Sequence, residues 1–380
     1  MKPAVAADLI ARARAVLSSG LPEMGEHVVC SPVSRYLDGA RHQRELAMMR
    51  RHPQAVAPAS TLARNGSWWS GDVLGVPLLV TRDGAGALHA FLNVCRHRGA
   101  RVVATGEGCG REKFACPYHA WTYAADGALL NVPRREGFPE LRTETSGLRR
   151  LAVAQRAGIV WVIPDAAHAD DDVSARLGAF VDELEGFGFA DHVAYAPREL
   201  DVGCNWKLMV EGSSEAYHFK IAHRDSIAPL FADNVQIVDE NGLHRRMFLV
   251  KEALRSEPLA SDVQLRDAGN LLYYVFPSTM ILVQPDHAQV TRIEPTAVGA
   301  TRIIDFALIP QAPDSERART HWERNVHLYR EALGEDYAQM ASMQSGLACG
   351  ANIALQFGRY EFALARFNEQ LDDELAKVAA

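Results

Sequence analysis

Two pairs of side chains in the N-terminal half have metal-ligand spacing. Cys95-Arg96-His97 and Cys116-Pro117-Tyr118-His119 are separated by eighteen residues. A tight loop can turn both side chains of each pair toward one centre. Two thiolates and two imidazoles suit tetrahedral zinc. They also suit a [2Fe–2S] cluster with both thiolates on one iron and both imidazoles on the other. Zinc patterns usually pair like with like, whereas each pair here mixes one Cys with one His, so each loop can serve both irons. That favours iron–sulfur. Two thiolates cancel the charge of the oxidised core and four would leave it negative, so mixed ligation gives the higher potential. A second constellation lies between Asn205 and His223: His218 and His223 are five apart, and Glu215 precedes the first by three. Two His and one carboxylate on one face of Fe(II) leave positions for O₂ and substrate. Taken alone, two His at this spacing are a weak signal, because a helical His is more often surface or core than ligand.

Taken together, these motifs resemble those of the Rieske-type non-heme iron oxygenases, in their large catalytic (alpha) subunit. The resemblance is carried by Asn93–Ala100, by Cys116–Tyr123, and by Asn205-Trp206-Lys207 followed by Glu215, Tyr217-His218 and His223. It implies that Cys95 and Cys116 hold one cluster iron and His97 and His119 the other, with Cys109 free. It implies His218 and His223 as ligands of a mononuclear iron. The family's third ligand is a carboxylate on a late helix, in a Glu-Asp pair before Gln-x-Gly. Here Glu335-Asp336 precedes Gln344-Ser345-Gly346, so Asp336 is the expected ligand and Glu335 the alternative. Glu215 is then not a ligand. By the resemblance it connects His218 to His119 of a neighbouring chain in a homotrimer, carrying electrons between centres that lie too far apart within one chain. Two departures are Gly212, where many members have Asn, and Glu215, where most have Asp; a minority branch that includes enzymes acting on carnitine also has Glu.

The function so implied is that of a terminal oxygenase component, a mono- or dioxygenase. It would use O₂ and electrons from NAD(P)H, delivered by a separate reductase with or without a ferredoxin. The substrate would be a small organic molecule, aromatic or a quaternary amine, hydroxylated or oxidatively demethylated. No G-x-G-x-x-G follows a strand, so no nicotinamide site is expected in the chain itself. The rival is a Rieske electron-transfer or binding protein without oxygenase activity, which would not need His218, His223 and Asp336.

The elements must place two metal centres. A chain of 380 residues suggests two domains. The expected class is α+β: a small antiparallel β Rieske domain over 48–165, and a catalytic domain over 166–380 with an antiparallel sheet covered by helices, residues 1–47 packing on it. Strands at Val76–Thr81 and Leu88–Val94 flank the turn Asp83-Gly84-Ala85-Gly86, and Asp126-Gly127 marks a second hairpin. Asp165–Asp172 reads as a linker. Helices are expected over Ala7–Leu17, Val173–Glu185, Trp206–Phe219, Ser315–Leu333 and beyond Gly358. Sheet strands are expected at Val193–Val202, Arg245–Lys251, Leu271–Phe276, Met280–Val283, Gln289–Ile293 and Arg302–Ile309. Tyr273, Tyr274 and Phe276 read as core rather than pocket. Residues five apart on a regular helix point about 140° from each other. For both His to reach one iron, Phe219–Ala222 must therefore be a distorted turn or a helix end.

Net charge is −7 without a long basic run, so nucleic acid is not an expected partner. The basic residues Arg96, Arg98, Arg101, Arg111 and Lys113 around the Cys/His loops fit either a solvated surface or a docking face for an acidic electron donor. Six cysteines are too few for a disulfide scaffold, and a cytoplasmic location is expected. No apolar run approaches the ~20 residues of a membrane-spanning helix. Asp8, Arg12 and Arg14 interrupt the N-terminal apolar stretch, which argues against a signal peptide.

Overall fold

The structure is a computed structural model that describes residues 1–255 and 264–378. The chain divides into two compact units, one of Met49–Leu177 with Ala190–Ala194, the other of Met1–Met48, Gly178–Phe189 and Tyr195–Ala380. Both are antiparallel, and the α+β expectation holds.

The smaller unit carries the first motif. Its five-stranded sheet runs, in spatial order, Arg150–Leu151, Leu88–Leu92, Val76–Arg82, Trp68–Val73 and Gly106–Gly108. The expected hairpin forms because Asp83 Oδ1 accepts the N–H groups of Ala85 and Ala87, at 2.9 and 2.8 Å, while Gly86 takes a φ of +88°. A three-stranded sheet of Lys113–Ala115, Thr122–Ala124 and Leu129–Asn131 turns at Gly127. That position has φ +84°, and a Cβ there would lie 2.4 Å from the Phe91 ring, so it demands glycine twice over. Phe91, Phe114, Trp121, Tyr123 and Leu129 form one core cluster that also contains Cys95 and Cys116. The two thiols are thus fixed by packing before any metal is considered.

The larger unit is built on seven strands: β1 (Val193–Val202), β2 (Phe231–Asn241), β3 (His244–Lys251), β4 (Gly269–Val275), β5 (Thr279–Val283), β6 (Ala288–Ala297) and β7 (Ala300–Ile309). From β2 to β7 they form a meander, and β1 closes the sheet beside β7. Tyr273, Tyr274 and Phe276 are core, as expected: the Tyr273 hydroxyl donates to Glu183 and that of Tyr274 to the Pro277 carbonyl. The N-terminal helix, Pro3–Ser19, buries Leu9, Ala13 and Val16 and packs on β2, where Arg12 reaches Asp239 at 2.7 Å.

Helices α1 (Trp206–Gly212), α2 (Phe219–Ala222), α3 (Glu316–Ala348) and α4 (Phe362–Val378) belong to the same unit. One expectation needs correction: the helix beginning at Trp206 does not reach Phe219 but stops at Gly212. Gly212-Ser213-Ser214 is a run of weak helix formers, and the Ser214 hydroxyl donates to the Val210 carbonyl at 2.6 Å, a bond that competes with continuation. The helix over Val173–Glu185 forms with a kink at Gly178, φ +67°. α3 runs unbroken through Gly334, started by Ser315, whose hydroxyl accepts the Ala318 N–H. The helix expected beyond Gly358 is observed as α4, on which Leu364, Phe367, Leu371 and Leu375 are all buried.

Candidate functional site

The Cys/His loops are built alike. In the first, Cys95 N–H donates to Ala100 and Gly99 N–H donates back to Cys95, with Gly99 at φ +80°. In the second, Cys116 pairs with Trp121 and Ala120 with Cys116 in the same way, and Ala120 takes φ +56°. The Cys95 and Cys116 thiols lie in hydrogen-bond contact, and burial together with Cys95 raises the Cys116 thiol. The His97 and His119 rings lie 4.7 Å apart between centroids. Trp121 stacks on His97 at 4.9 Å, with Phe138 edge-on at 5.5 Å, which fixes the ring's direction. Partial desolvation, His119 and Arg98 lower His97, favouring the neutral imidazole that a metal requires. The Tyr123 hydroxyl accepts the Arg96 N–H at 2.9 Å and lies 3.4 Å from Cys95 Sγ, to which it can donate when that sulfur is a thiolate ligand. The basic cluster is partly occupied: Arg101 pairs with Asp72 at 2.7 Å, and Arg111 lies over Trp68 and Phe114.

The second constellation is a single helical turn. His218 flanks α2 at its start and His223 at its end, where φ −104° and ψ 21° leave the helix. That departure swings the His223 ring back, so the two Nε2 atoms stand 3.2 Å apart. α3 brings Asp336 to them: its Oδ1 is 3.4 Å from His218 Nε2 and 3.1 Å from His223 Nε2. The outer ring nitrogens are held by other carboxylates. Glu215 takes Nδ1 of His218, and Glu335 takes Nδ1 of His223 at 2.7 Å. Glu335 also accepts the Ser226 hydroxyl at 2.6 Å. Of the Glu335-Asp336 pair, Asp336 is therefore the one that faces both inner nitrogens. Without metal, burial by itself would lower His218, but Asp336 and Glu215 outweigh it and raise the group to about 10. Burial pushes Asp336 up, and the two imidazoles more than reverse that.

The Asn205-Trp206-Lys207 run anchors this turn. Asn205 Oδ1 caps α1 by accepting the Lys207 N–H, Trp206 Nε1 donates to Glu45, and the Lys207 ammonium meets both oxygens of Glu45 at 2.7 and 2.9 Å. Both members of that pair are buried, an arrangement that fixes register more than it adds stability. Beside the triad lies a cavity of about 470 Å³, walled mainly by apolar residues such as Phe219, Leu230, Leu249, Leu272 and Leu328. That is the size and character of a small-molecule site.

Two family models match the chain: the Rieske [2Fe-2S] domain over residues 52–143, and the ring hydroxylating alpha subunit (catalytic domain) over residues 189–377. The chain belongs to the Rieske-type non-heme iron oxygenases, as a catalytic (alpha) subunit. The oxygenase's cofactors are accordingly a [2Fe–2S] cluster and a mononuclear non-heme iron. The residues present fit both. Two buried thiols and two clustered imidazoles suit the cluster. Two Nε2 atoms and one carboxylate oxygen, all within 4.8 Å of one another, suit the iron. Among relatives, a choline monooxygenase of Beta vulgaris is 29% identical over 345 residues, 88% of this chain and 74% of that protein. A carnitine monooxygenase oxygenase subunit of Acinetobacter baumannii is 29% identical over 304 residues, 77% of this chain and 78% of that one. The same fold recurs in a quaternary ammonium Rieske monooxygenase solved with L-carnitine, at a TM-score of 0.78 and 22% identity, covering 91% of this chain and 95% of that one. No described helix of the oxygenase is long and apolar enough to cross a membrane.

Some site residues have no assigned role in the sequence reading. Tyr123 lies inside the quoted motif, but only the fold brings its hydroxyl to Cys95. Glu335 stands there only as an alternative ligand, and Ser226 is absent from it. The polar cavity residues Lys251, Asn270 and Gln284 stand at or beside the ends of continuous apolar strands, where a polar residue already reads as a strand boundary, so the sequence does not single them out.

Proposed function

We propose that this oxygenase is the terminal component of a short electron-transfer chain. Electrons from NAD(P)H reach it through a separate reductase, with or without a ferredoxin. In this reading Cys95 and Cys116 hold one cluster iron and His97 and His119 the other. His218, His223 and Asp336 hold the mononuclear iron. The observation that carries the reading is the convergence of the last three side chains beside an apolar cavity. A pure electron carrier would have no use for that convergence.

When bound, the iron supplies O₂ binding and activation at its free positions. The chain's own residues do the rest. Glu215 and Glu335 hold the Nδ1 protons, so that each ring presents a neutral Nε2 inward. The apolar wall orients the substrate and keeps water out. For a monooxygenation, substrate C–H, O₂, two electrons and two protons give the hydroxylated product and water. The substrate is a small organic molecule, aromatic or a quaternary amine, the latter class being what the choline and carnitine monooxygenases are named for.

Assembly as a homotrimer is what the family resemblance implies, and Glu215 is the residue that would use it. Its carboxylate already holds His218, and it would also accept the His119 ring N–H of an adjacent chain, giving a short path from that chain's cluster. A cytoplasmic site suits the unpaired cysteines. Metal analysis with sedimentation tests the reading. The expected result is about three irons and two sulfides per chain in a trimer. Two irons per chain would leave only the electron carrier, and a monomer with full turnover would remove the inter-chain path.

A further inference from the structure

The cavity beside the triad has two unlike ends. Along β3, β4 and β5 the side chains that line it change from Leu249, Leu272 and Leu282 to Lys251, Asn270 and, just past the end of β5, Gln284. Leu249 pairs with Asn270 across the sheet, and Asn270 stands one step beyond the Leu271–Val283 pair, level with Gln284. Lys251 lies two residues past Leu249 on the same face. The three polar side chains are therefore neighbours at one edge of an apolar wall.

α3 sets the distance from this edge to the triad. His321 meets Asp286, two residues after Gln284, at 2.9 Å, and Asn325 on the next turn lines the cavity. Asp336 follows eleven residues later, about 16 Å along the helix axis.

Lys251 is half-buried, and its ammonium makes one hydrogen bond, to the Arg266 carbonyl at 3.0 Å. It has no ion pair among the described residues, so two of its N–H groups remain to be used. Asp267, next to Arg266, offsets part of the cost of drawing this cation out of water without forming an ion pair with it, and a bound anion on the cavity side relieves the rest. Asn270 Oδ1 is buried without a partner among the described residues. Turning that amide over offers its N–H₂ to the same anion. The carboxylates that line the cavity, Glu215 and Asp336, both face imidazoles. Among the described residues the cavity thus offers no uncommitted anion to a quaternary ammonium group.

We infer that, of the aromatic and quaternary-amine classes, the substrate belongs to the first, as an elongated aryl carboxylic acid. Its carboxylate is held by Lys251 with Asn270 and Gln284, and its opposite end lies at the triad, where the oxidation takes place. This rests on the oxygenase reading of the same cavity. The reaction balance is unchanged: the remote C–H takes one oxygen atom of O₂, the other leaves as water, and the reductase chain supplies the two electrons.

The test is binding to the anaerobic holoenzyme, measured by calorimetry. The probes are ω-phenylalkanoates from phenylacetate to phenyloctanoate, their primary amides, and choline, a quaternary ammonium ion without a carboxylate. Affinity is expected to rise with chain length, each long acid binding at least about tenfold tighter than its amide, as a charge-assisted contact does over a neutral one. Lys251→Met should abolish that preference and Lys251→Arg should keep most of it. Acids no tighter than amides on the wild-type protein, choline tighter than every acid, or an acid preference that survives in Lys251→Met would each overturn the inference. Iron analysis on the same samples keeps the two claims apart. Acid preference in a protein that never binds mononuclear iron would sink the oxygenase reading and leave the acid site standing.

Discussion

Glu335 separates ligand from support more sharply than any other residue of the site. Its carboxylate accepts from His223 Nδ1 at 2.7 Å and from the Ser226 hydroxyl, and the His223 side chain is only 1% exposed. Glu335→Ala leaves that ring N–H without its acceptor on a buried side chain, although Glu335 is itself 28% exposed and water can take part of its place. An orphaned buried donor costs about 1–3 kcal/mol, or roughly five- to a hundredfold in iron affinity. Glu335→Gln keeps an oxygen acceptor and loses only the charge. A charge-assisted bond exceeds a neutral one by about 1 kcal/mol, so the loss should be near fivefold. Asp336→Ala removes the oxygen that faces both Nε2 atoms and should lose the most. Anaerobic dialysis against graded, buffered Fe(II) reads these affinities as total iron less cluster iron, and the visible spectrum of the cluster serves as an internal control. The expected order, tightest first, is wild type, Glu335→Gln, Glu335→Ala, Asp336→Ala. If Glu335→Ala loses the iron while Asp336→Ala retains it, the ligand moves by one residue. Glu335 variants that bind like wild type would refute the supporting role.

Tyr123→Phe should lower the cluster potential, because one hydrogen bond to Cys95 Sγ is lost. At about 1 kcal/mol for the bond, a one-electron couple moves by roughly 40 mV in protein-film voltammetry; an unchanged potential would show that the hydroxyl does not point at the sulfur. Glu215→Gln should keep the cluster and the fold, since an amide oxygen still caps the turn at the N–H groups of Tyr217 and His218, and should bind the mononuclear iron more weakly, because its N–H₂ then faces His218 Nδ1. Stopped-flow oxidation of the reduced cluster, with substrate and O₂ present, should nevertheless slow sharply, and normal kinetics would remove Glu215 from the electron path. Glu211 is buried and its carboxyl is pushed up from 4.5 to about 7, against the bonds from Tyr36 and Asn368. The folded state then holds a proton that the unfolded chain releases between those values, so stability falls as pH rises through that window. Glu211→Gln should flatten this part of the Tm–pH curve, and an identical slope in the variant would contradict the assignment.

What the sequence could reveal was local. Asp83–Gly86 announces its hairpin because the turn chemistry is complete within four residues. The two Cys/His loops declare themselves for the same reason, and the strand expected at Val193–Val202 forms over those residues. The requirement that His218 and His223 could not share a regular helix follows from helical pitch alone, and the observed single turn meets it. What remained hidden depends on how distant elements meet. Glu335 and Asp336 are adjacent on α3 and point about 100° apart, so only the helix's placement decides which faces the imidazoles. The end of α1 at Gly212 is a contest between weak propensities that a periodicity pattern does not register. The cavity wall was illegible for another reason. The strands of a sheet covered on both faces are apolar at nearly every position, so nothing in the sequence distinguishes Leu272, which lines the cavity, from Tyr273, which is core.

The central claim is that one chain holds a mixed-ligand cluster and, separately, an iron with free positions between His218, His223 and Asp336. Electron paramagnetic resonance of the reduced, anaerobic protein with nitric oxide tests it most directly, because a high-spin ferrous–nitrosyl signal needs a mononuclear iron with room for a diatomic ligand. The wild type is expected to show that signal alongside the rhombic, low-average-g signal of the cluster. In His223→Ala and Asp336→Ala the nitrosyl signal should vanish while the cluster signal is unchanged. A wild-type protein that shows the cluster alone, or variants that keep the nitrosyl signal at full intensity, would contradict it.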